Sequence, residues 1–266
     1  MIKLLALDID GTILKKDYSL SDRVKSSIKD ASKKGVKVVL VTGRMHKATT
    51  FIAQELGLNT PIISYNGALV QSENKIFLEQ KIHHELFKKV VNEAKNFEVQ
   101  INLYVDDILY SETNTPEIIE YCTKRKIEYK IKSFDKFQNA SANKLLVIGK
   151  TPDETTKVIS HLSKTFENRL NIVKSMPTFC EVLNKNASKG NAIMHLAQYW
   201  EILPEEIMAV GDQDNDIDML KIAHAKVAMG NATQGLKDVS NYIAPPVEQD
   251  GLAVAIEEFI LGEKNV

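Results

Sequence analysis

The chain is poor in the residues that mark several classes of protein. Its 266 residues include two cysteines and one tryptophan, and its formal net charge is -1. Because Cys122 and Cys180 are isolated in the sequence, we expect free, buried thiols in a reducing cytoplasm rather than disulfides or a redox centre. The near-zero net charge gives no electrostatic case for binding nucleic acid or an anionic membrane.

Long apolar runs are also missing, as are internal repeats and low-complexity segments. No run is long enough to cross a bilayer, and Met1–Lys3 leads into an apolar stretch without the pattern of a signal peptide. What the chain does have is 44% hydrophobic and 26% charged residues. This is an ordinary globular composition, able to bury a sizeable core, in a chain comfortable for two domains.

Short apolar runs that end in polar, glycine-containing tips alternate with helical patterns near the start of the chain. We predict strands at Ile2–Ile9, Val36–Val41 and Pro61–Ser64, with intervening helices that stop at Gly35 and Gly57. Short links between alternating strands and helices predict a parallel α/β sheet, and ligands of such sheets bind at the carboxyl ends of the strands. The fold class is therefore α/β, with a Rossmann-like, doubly wound core.

In the middle of the chain, strands and helices no longer alternate regularly. Between residues 83 and 183 the pattern indicates α+β structure with antiparallel strand pairs, including a helix that opens at Thr115-Pro116. The alternating pattern resumes with a helix at Lys189, which Ser188 can cap. We therefore predict one domain formed by 1–82 and 184–266, with a second domain, 83–183, inserted into it.

The stretch Leu7–Thr12 places two carboxylates at the end of a predicted buried strand. Asp8 and Asp10 would repel each other unless a shifted pKa, a basic partner or a metal cation offset the repulsion. Gly11 lets the backbone turn sharply or approach a ligand closely. The stretch is therefore a candidate site for a cation and a phosphate, or else a strand end with a solvated Asp-Gly turn.

Chemical side chains also stand at three other strand ends or helix starts. They are Thr42 with Gly43, Lys189, and Asp212 with Asn215 and Asp216. Taken together with Asp8 and Asp10, they supply what phosphoryl transfer needs. Carboxylate oxygens bind Mg²⁺, and a hydroxyl, a lysine and backbone N–H groups hold phosphoryl oxygens. One carboxylate can attack phosphorus while a second acts as general acid and then as base.

These residues resemble the four motifs of the haloacid dehalogenase-like phosphohydrolases, and the insertion lies where the Cof-type subfamily carries an α/β cap. The matching segments are Asp8–Thr12, Thr42, Ser188–Gly190 and Gly211–Asp216. Further matches are Asn66–Ala68, Met229–Ala232 and Asp250-Gly251. The resemblance covers nearly the whole chain, and it implies that 83–183 is the cap domain.

The resemblance also implies a role for each site residue. Asp8 would be the nucleophile that becomes an aspartyl phosphate, and Asp10 would be the general acid and base. Mg²⁺ would be held by Asp8, the Asp10 backbone carbonyl and Asp212. The phosphoryl group would be bound by Thr42, Gly43, Lys189 and Asn215, and Asp216 would orient Lys189 or a metal-bound water.

Several neighbouring residues have weaker assignments. Asn66 is a supporting residue by the family match, and Arg44 is either a clamp for a substrate oxygen or part of a salt bridge. We expect Asn231 to line the site, Asp214 and Asp218 to be solvated, and Glu181 to be structural.

We expect a Mg²⁺-dependent phosphatase that acts on a small phosphorylated metabolite, such as a sugar phosphate or a similar monoester. Two alternatives stay open at this point: a phosphomutase built on the same core, and a non-catalytic protein that binds a phosphorylated metabolite. The sequence predicts neither a nucleic-acid nor a membrane partner, and the oligomeric state is unknown. An ion pump with the same chemistry is excluded by the absence of predicted membrane spans.

Overall fold

The computed structural model describes residues 1–262, which form two compact units. One unit comprises Met1–Leu78 together with the described residues from Ser188 onward, and the other comprises Glu79–Ala187. The second unit extends beyond the predicted 83–183 at both ends: Ile82 packs in its apolar core, and its last strand, Phe179–Asn184, runs past residue 183. The assignment of this unit as a cap stays a prediction.

The strands and helices of the described chain follow most of the sequence pattern. In chain order they are β1 (Leu4–Leu7), α1 (Asp22–Lys33), β2 (Lys37–Leu40), α2 (Lys47–Leu56), β3 (Ile62–Ser64), β4 (Leu69–Ser72), β5 (Lys75–Glu79), β6 (Ile82–His83), α3 (His84–Ala94), β7 (Gln100–Val105), β8 (Ile108–Ser111), α4 (Pro116–Arg125), β9 (Tyr129–Ile131), β10 (Ser141–Ala142), β11 (Lys144–Ile148), α5 (Pro152–Thr165), β12 (Leu170–Met176), β13 (Phe179–Asn184), α6 (Lys189–Tyr199), β14 (Ile207–Gly211), α7 (Ile217–Ile222), β15 (Ala225–Ala228), α8 (Gln234–Val239), β16 (Tyr242–Ile243) and α9 (Gly251–Ile256). A π-helical turn, Glu257–Leu261, follows α9.

The first unit is built on a five-stranded parallel sheet in the order β16-β15-β14-β1-β2. Strand β1 is buried on both faces, since Leu5 and Leu7 pack in one apolar cluster while Leu4 and Ala6 pack in another. Two apolar layers, one on each face, are what a doubly wound sheet requires. The predicted fold class is confirmed.

The prediction that Pro61–Ser64 is a further strand of the parallel sheet is only partly right. Strand β3 is bridged in parallel through Val41 and Ile63, but it belongs to a three-stranded sheet in which it pairs antiparallel with β4. Tyr65, Asn66 and Gly67 take left-handed backbone angles that reverse the chain directly after β3. This tight reversal makes β4 the neighbour of β3.

The second unit has a six-stranded sheet in the order β12-β13-β11-β7-β8-β9. Its apolar cluster joins α3 and α5 to this sheet through residues such as Phe87, Leu145 and Val158. Not all neighbours are antiparallel as predicted: β8 and β9 are parallel, because α4 carries the chain back between them as a crossover. The small β6–β10 pair went unpredicted because each strand has two residues.

Two predicted helix starts are confirmed. Thr115 and Ser188 each accept a hydrogen bond from a backbone N–H in the first turn of the helix that follows. Ser21 caps α1 in the same way. Within residues 1–262, no helix is both long enough and apolar enough to cross a membrane.

Candidate active site

The carboxyl ends of β1, β2 and β14 lie side by side, because β1 pairs with both of the other strands. Asp8 follows β1 and Asp212 follows β14, and both side chains are buried. Lys189, the first residue of α6, is also buried, and its Nζ lies 2.6 Å from Asp8 Oδ1 and 2.5 Å from Asp216 Oδ1. The structure thus brings together the residues of three of the four predicted motifs around one lysine.

Three carboxylates converge at this point. Asp8, Asp212 and Asp216 each offer an oxygen within 4.8 Å of the others. Both oxygens of Asp216 are engaged, since Oδ1 accepts from Lys189 and Oδ2 accepts from the backbone N–H groups of Asp212 and Gln213 at 3.0 Å. Asp216 therefore orients Lys189 and the loop that carries Asp212.

Asp212 is satisfied on one side only. Its Oδ2 accepts from Gln213 Nε2 at 2.8 Å and from Asn231 Nδ2 at 3.4 Å, whereas its Oδ1 has no hydrogen-bond partner among residues 1–262. A buried carboxylate oxygen that lacks a donor is costly and calls for a ligand. As expected from the sequence, Asn231 lines this part of the site.

The pKa values of the cluster reflect buried negative charge. Burial, together with the repulsion of Asp216 and Asp212, holds the pKa of Asp8 well above its usual range, despite the opposing effect of Lys189. Burial and the charge of Asp216 raise the pKa of Asp212 to about 7. Burial alone would lower the pKa of Lys189, but the attraction of Asp216 and Asp8 outweighs burial and raises it. A divalent cation would relieve the excess negative charge of this cluster.

The chemistry of these donors fits Mg²⁺. The ion prefers carboxylate, carbonyl and water oxygens, and it commonly uses one or two protein carboxylates. Asp8 and Asp212 supply carboxylates, and the unsatisfied Asp212 Oδ1 is one oxygen that such an ion would engage.

Gly11 allows the loop after β1 to approach Asp212. The backbone of Gly11 is left-handed, with φ +84°, and a Cβ atom at this position would lie 2.4 Å from Asp212 Oδ2. Asn231 Nδ2 donates to the carbonyl oxygen of Gly11 at 2.9 Å, and Asn231 Oδ1 accepts from the backbone N–H of Val247. The glycine is therefore required both by its backbone conformation and by the close approach.

The Asp10 side chain lies outside the carboxylate cluster. Arg44 Nε donates to Asp10 Oδ2 at 2.8 Å, and Arg44 Nη2 donates to Asp10 Oδ1 at 2.6 Å. Burial by itself would lower the pKa of Arg44, but hydrogen bonding to Asp10 raises it overall. Of the two readings of Arg44, the salt bridge is the one observed.

The second motif lies against a pair of asparagines. Asn66, with φ 51°, donates its backbone N–H to the carbonyl oxygen of Thr42, and its side-chain oxygen accepts from Asn215 Nδ2 at 2.9 Å. The Asn66 amide also lies against Gly43, where a Cβ atom would be 3.1 Å from it. Asn66 Nδ2 and Asn215 Oδ1 have no hydrogen-bond partner in the described part of the chain. The predicted residues Thr42, Gly43, Asn66 and Asn215 are thus gathered in one place, with polar atoms left available.

Two acidic residues were predicted to be solvated, and the structure separates them. Asp214 is exposed, as expected, and accepts from the Thr233 hydroxyl. Asp218 is half-buried, and its Oδ2 accepts from the backbone N–H of Gly190 at 2.9 Å, so that part of the prediction is wrong. The first backbone N–H groups of a helix have no acceptor within the helix, so a carboxylate near Gly190 could be expected. The sequence does not show which carboxylate accepts from this N–H group.

Comparisons with known proteins agree with this geometry. Residues 5–256 match the model of the haloacid dehalogenase-like hydrolases. The Bacillus subtilis (strain 168) protein YxeH, whose name assigns it provisionally to the phosphatases, is 30% identical over 99% of this chain and 100% of its own. The 5-amino-6-(5-phospho-D-ribitylamino)uracil phosphatase YcsE of the same organism is 29% identical over 98% of this chain and 96% of its own.

A solved structure shows the same fold. A haloacid dehalogenase-like hydrolase from Bacteroides thetaiotaomicron superposes with a TM-score of 0.86 and 26% identity, and the match covers 97% of this chain and 99% of that protein. The resemblance read from the four motifs is confirmed. The chain belongs to the haloacid dehalogenase-like hydrolases, and it is an enzyme of that family.

Proposed function

We propose that the protein is a Mg²⁺-dependent phosphatase that hydrolyses a small phosphorylated metabolite through an aspartyl phosphate on Asp8. The observation that carries this proposal is the convergence of Asp8, Asp212 and Asp216 at one point, where Lys189 contacts Asp8 and Asp216. Asp212 Oδ1 has no hydrogen-bond donor among residues 1–262. Buried carboxylates arranged in this way destabilise the folded protein, because each one repels the others.

The metal would be held by the side chains of Asp8 and Asp212 and by the backbone carbonyl of Asp10. Its chemistry when bound is to neutralise negative charge on the carboxylates and on the phosphoryl oxygens.

The first half of the reaction uses Asp8 and Asp10. One oxygen of Asp8 attacks phosphorus, the bond from phosphorus to the leaving oxygen breaks, and that oxygen takes a proton from the Asp10 carboxyl group. Lys189 holds Asp8 in place through its 2.6 Å contact and offsets charge on the phosphoryl group. Asp216 keeps the lysine directed at this point.

The second half returns the enzyme to its starting state. A water molecule gives a proton to the Asp10 carboxylate as its oxygen attacks phosphorus, and the bond from phosphorus to Asp8 breaks to release inorganic phosphate. Throughout, the Thr42 hydroxyl, the Gly43 N–H and the Asn215 side chain bind the phosphoryl oxygens. The available polar atoms of Asn66 and Asn215 support this assignment of a binding region.

The substrate class is supported by the relatives rather than by a motif. The name of YcsE specifies a phosphate monoester on a ribityl chain, a small phosphorylated metabolite. We therefore favour a sugar phosphate or a similar monoester.

Both cysteines are free and buried, and burial raises the pKa of Cys180 to about 12, which accords with a reducing, cytoplasmic setting.

The test is hydrolysis of 4-nitrophenyl phosphate and a panel of sugar phosphates with and without Mg²⁺, with Asp8→Asn as the control. Release of free phosphate that needs Mg²⁺ and Asp8 supports the proposal. Formation of an isomerised sugar phosphate would indicate a phosphomutase. Phosphate-ester binding without turnover under any metal would indicate a binding protein and would contradict the proposal.

A further inference from the structure

Asp10 and Arg44 form a two-bond fork at the edge of the site. The fork uses Nε and Nη2 of the guanidinium and both carboxylate oxygens, at 2.8 and 2.6 Å. The Arg44 side chain is 8% exposed, whereas the Asp10 side chain is 40% exposed. A planar, bidentate contact of this kind fixes both the position of a carboxylate and the plane in which it lies.

Arg44 is itself fixed from several directions. Its backbone N–H donates to the Thr42 hydroxyl at 3.1 Å, and its backbone carbonyl accepts from Tyr65 at 2.9 Å. The guanidinium carbon also lies 5.6 Å from the centre of the Tyr18 ring, within range of a cation–π contact. Arg44 is therefore a rigid support and Asp10 the more exposed group that it holds.

Tyr18 adopts an unusual backbone conformation next to this support. Its φ is +64°, in the left-handed region that bulky residues rarely enter. Such conformations persist where the surrounding structure requires them, and they concentrate near functional sites. In this backbone conformation, the Tyr18 ring lies beside the guanidinium group of Arg44, which binds Asp10.

We propose that Arg44 is the positioning residue of Asp10, with Tyr18 supporting Arg44 in turn. The proposal rests on the proposed function, in which Asp10 passes a proton to the leaving oxygen. Proton transfer requires the carboxyl group within hydrogen-bond reach of that oxygen, and the terminal torsion of an aspartate is broad when nothing restrains it. A displacement of about 1 Å can reduce the rate of a catalysed step about 100-fold. Arg44 acts through Asp10 and does not itself bind the phosphoryl group.

The first experiment compares two aryl phosphates that differ in their need for a proton. 4-Nitrophenolate leaves readily as an anion, whereas phenolate is a poorer leaving group and benefits more from protonation. In Arg44→Met we expect kcat/KM for phenyl phosphate to fall at least about 10-fold further than kcat/KM for 4-nitrophenyl phosphate, because general acid catalysis contributes about 10² to 10⁴. Equal losses for both substrates, or a rise in KM alone, would overturn the proposal and indicate a substrate clamp.

A double-mutant cycle with Asp10→Asn removes the ambiguity of a general loss of structure. If Arg44 acts through Asp10, Arg44→Met should cause no further loss of kcat/KM for phenyl phosphate in the Asp10→Asn background. If the two losses multiply, the proposal is wrong. Thermal unfolding of each variant reports whether the fold is retained.

Arg23 provides a matched control. It forms the same kind of fork with Glu257, with Nε to Oε1 at 3.0 Å and Nη2 to Oε2 at 2.6 Å. Arg23→Met should leave the ratio of the two kcat/KM values unchanged, and a change equal to that of Arg44→Met would contradict the proposal. Absence of hydrolysis by the wild-type enzyme would instead contradict the proposed function, so the two failures are distinguishable.

Discussion

Among residues 1–262, each unit buries one lysine against carboxylates, and we propose that one cluster is reactive and the other structural. In the first unit Lys189 contacts Asp8 and Asp216, and Asp212 lies beside them. In the second unit Lys144 Nζ contacts Glu181 Oε2 at 2.6 Å. Both lysines are about 1% exposed, so burial alone does not distinguish the two clusters.

The distinction lies in how completely the carboxylate oxygens are used. Both oxygens of Glu181 are engaged, one by Lys144 and the other by the Ser175 hydroxyl at 2.8 Å, and Lys144 also lies 4.9 Å from the Tyr104 ring. Asp212, in contrast, keeps Oδ1 without a hydrogen bond within residues 1–262. Removing one partner of a fully satisfied buried pair leaves an uncompensated charge and destabilises the fold, whereas surplus negative charge with an unused oxygen favours binding of a cation.

The largest difference is expected between Asp8→Asn and Glu181→Gln. Loss of the proposed nucleophile should reduce phosphate release at least about 10⁴-fold. It should not lower the midpoint of thermal unfolding, since it removes a buried charge whose pKa is already raised. Glu181→Gln should do the reverse, destabilising the fold while the folded protein keeps turning over. Activity in Asp8→Asn close to that of the wild type would contradict the assignment of Asp8.

The lysines give a second, smaller contrast. Lys189→Met should reduce kcat about 10² to 10³-fold, the loss seen when one donor to a developing oxyanion is removed. Lys144→Met leaves Glu181 buried without its cation and should lower the free energy of unfolding by about 3 to 5 kcal/mol. Steady-state kinetics and denaturant unfolding measure the two effects. If both variants lose activity to the same extent, the comparison between the clusters fails.

A glycine pair tests the approach of the loop to Asp212. Gly11 and Gly35 both have left-handed backbones, with φ +84° and +87°, but a Cβ atom at Gly35 would meet no atom of residues 1–262 within 4 Å. Each glycine-to-alanine substitution should therefore cost about 1 to 2 kcal/mol of stability from backbone strain. Gly11→Ala should also weaken Mg²⁺ binding, measured by calorimetry, because Asp212 must shift. Unchanged Mg²⁺ affinity in Gly11→Ala would remove Asp212 from the metal site.

A pH dependence of stability in the metal-free protein is also expected. The pKa of Asp212 is about 7 in the fold against an ordinary 3.8, because of burial and then the charge of Asp216. Its contribution to stability is thus fully present below 3.8 and is lost as the pH rises through about 7. With a chelator present, the temperature midpoint of unfolding should be lower at pH 8 than at pH 5, and most of the decrease should be complete by about pH 7.

Added Mg²⁺ should raise the unfolding midpoint more at the higher pH, where the site is ionised. Asp212→Asn is the control, and in this variant both the pH dependence and the response to Mg²⁺ should diminish. A response to Mg²⁺ that is equal at both pH values and unaffected by Asp212→Asn would contradict this account.

The strand ends were predictable from the sequence because parallel strands place their carboxyl ends together. Asp8 and Asp212 follow apolar runs that could only be buried, and Lys189 follows a clear helix cap at Ser188. Their convergence therefore follows from periodicity and from the family resemblance together. The doubly wound core is confirmed, whereas the role of each site residue stays a prediction.

Other features depended on tertiary contacts that no local pattern encodes. The fork between Asp10 and Arg44 joins residues on two different strand-end loops. The Lys144–Glu181 pair depends on the register of β11 against β13, where Leu146 faces Glu181. The parallel pairing of β8 with β9 likewise depends on the path of α4. Each of these three contacts joins segments that are distant in the sequence, so it becomes visible only in the folded structure.

The most direct measurement is a search for a phosphoryl group on Asp8. Wild-type enzyme in excess over 4-nitrophenyl phosphate is quenched in acid within a single turnover, and the peptide that contains Asp8 is analysed by mass spectrometry. The account predicts a phosphorylated Asp8 that forms with Mg²⁺ and is absent in Asp8→Asn. Turnover without phosphorylation of this peptide, or a phosphoryl group on another residue, would contradict it.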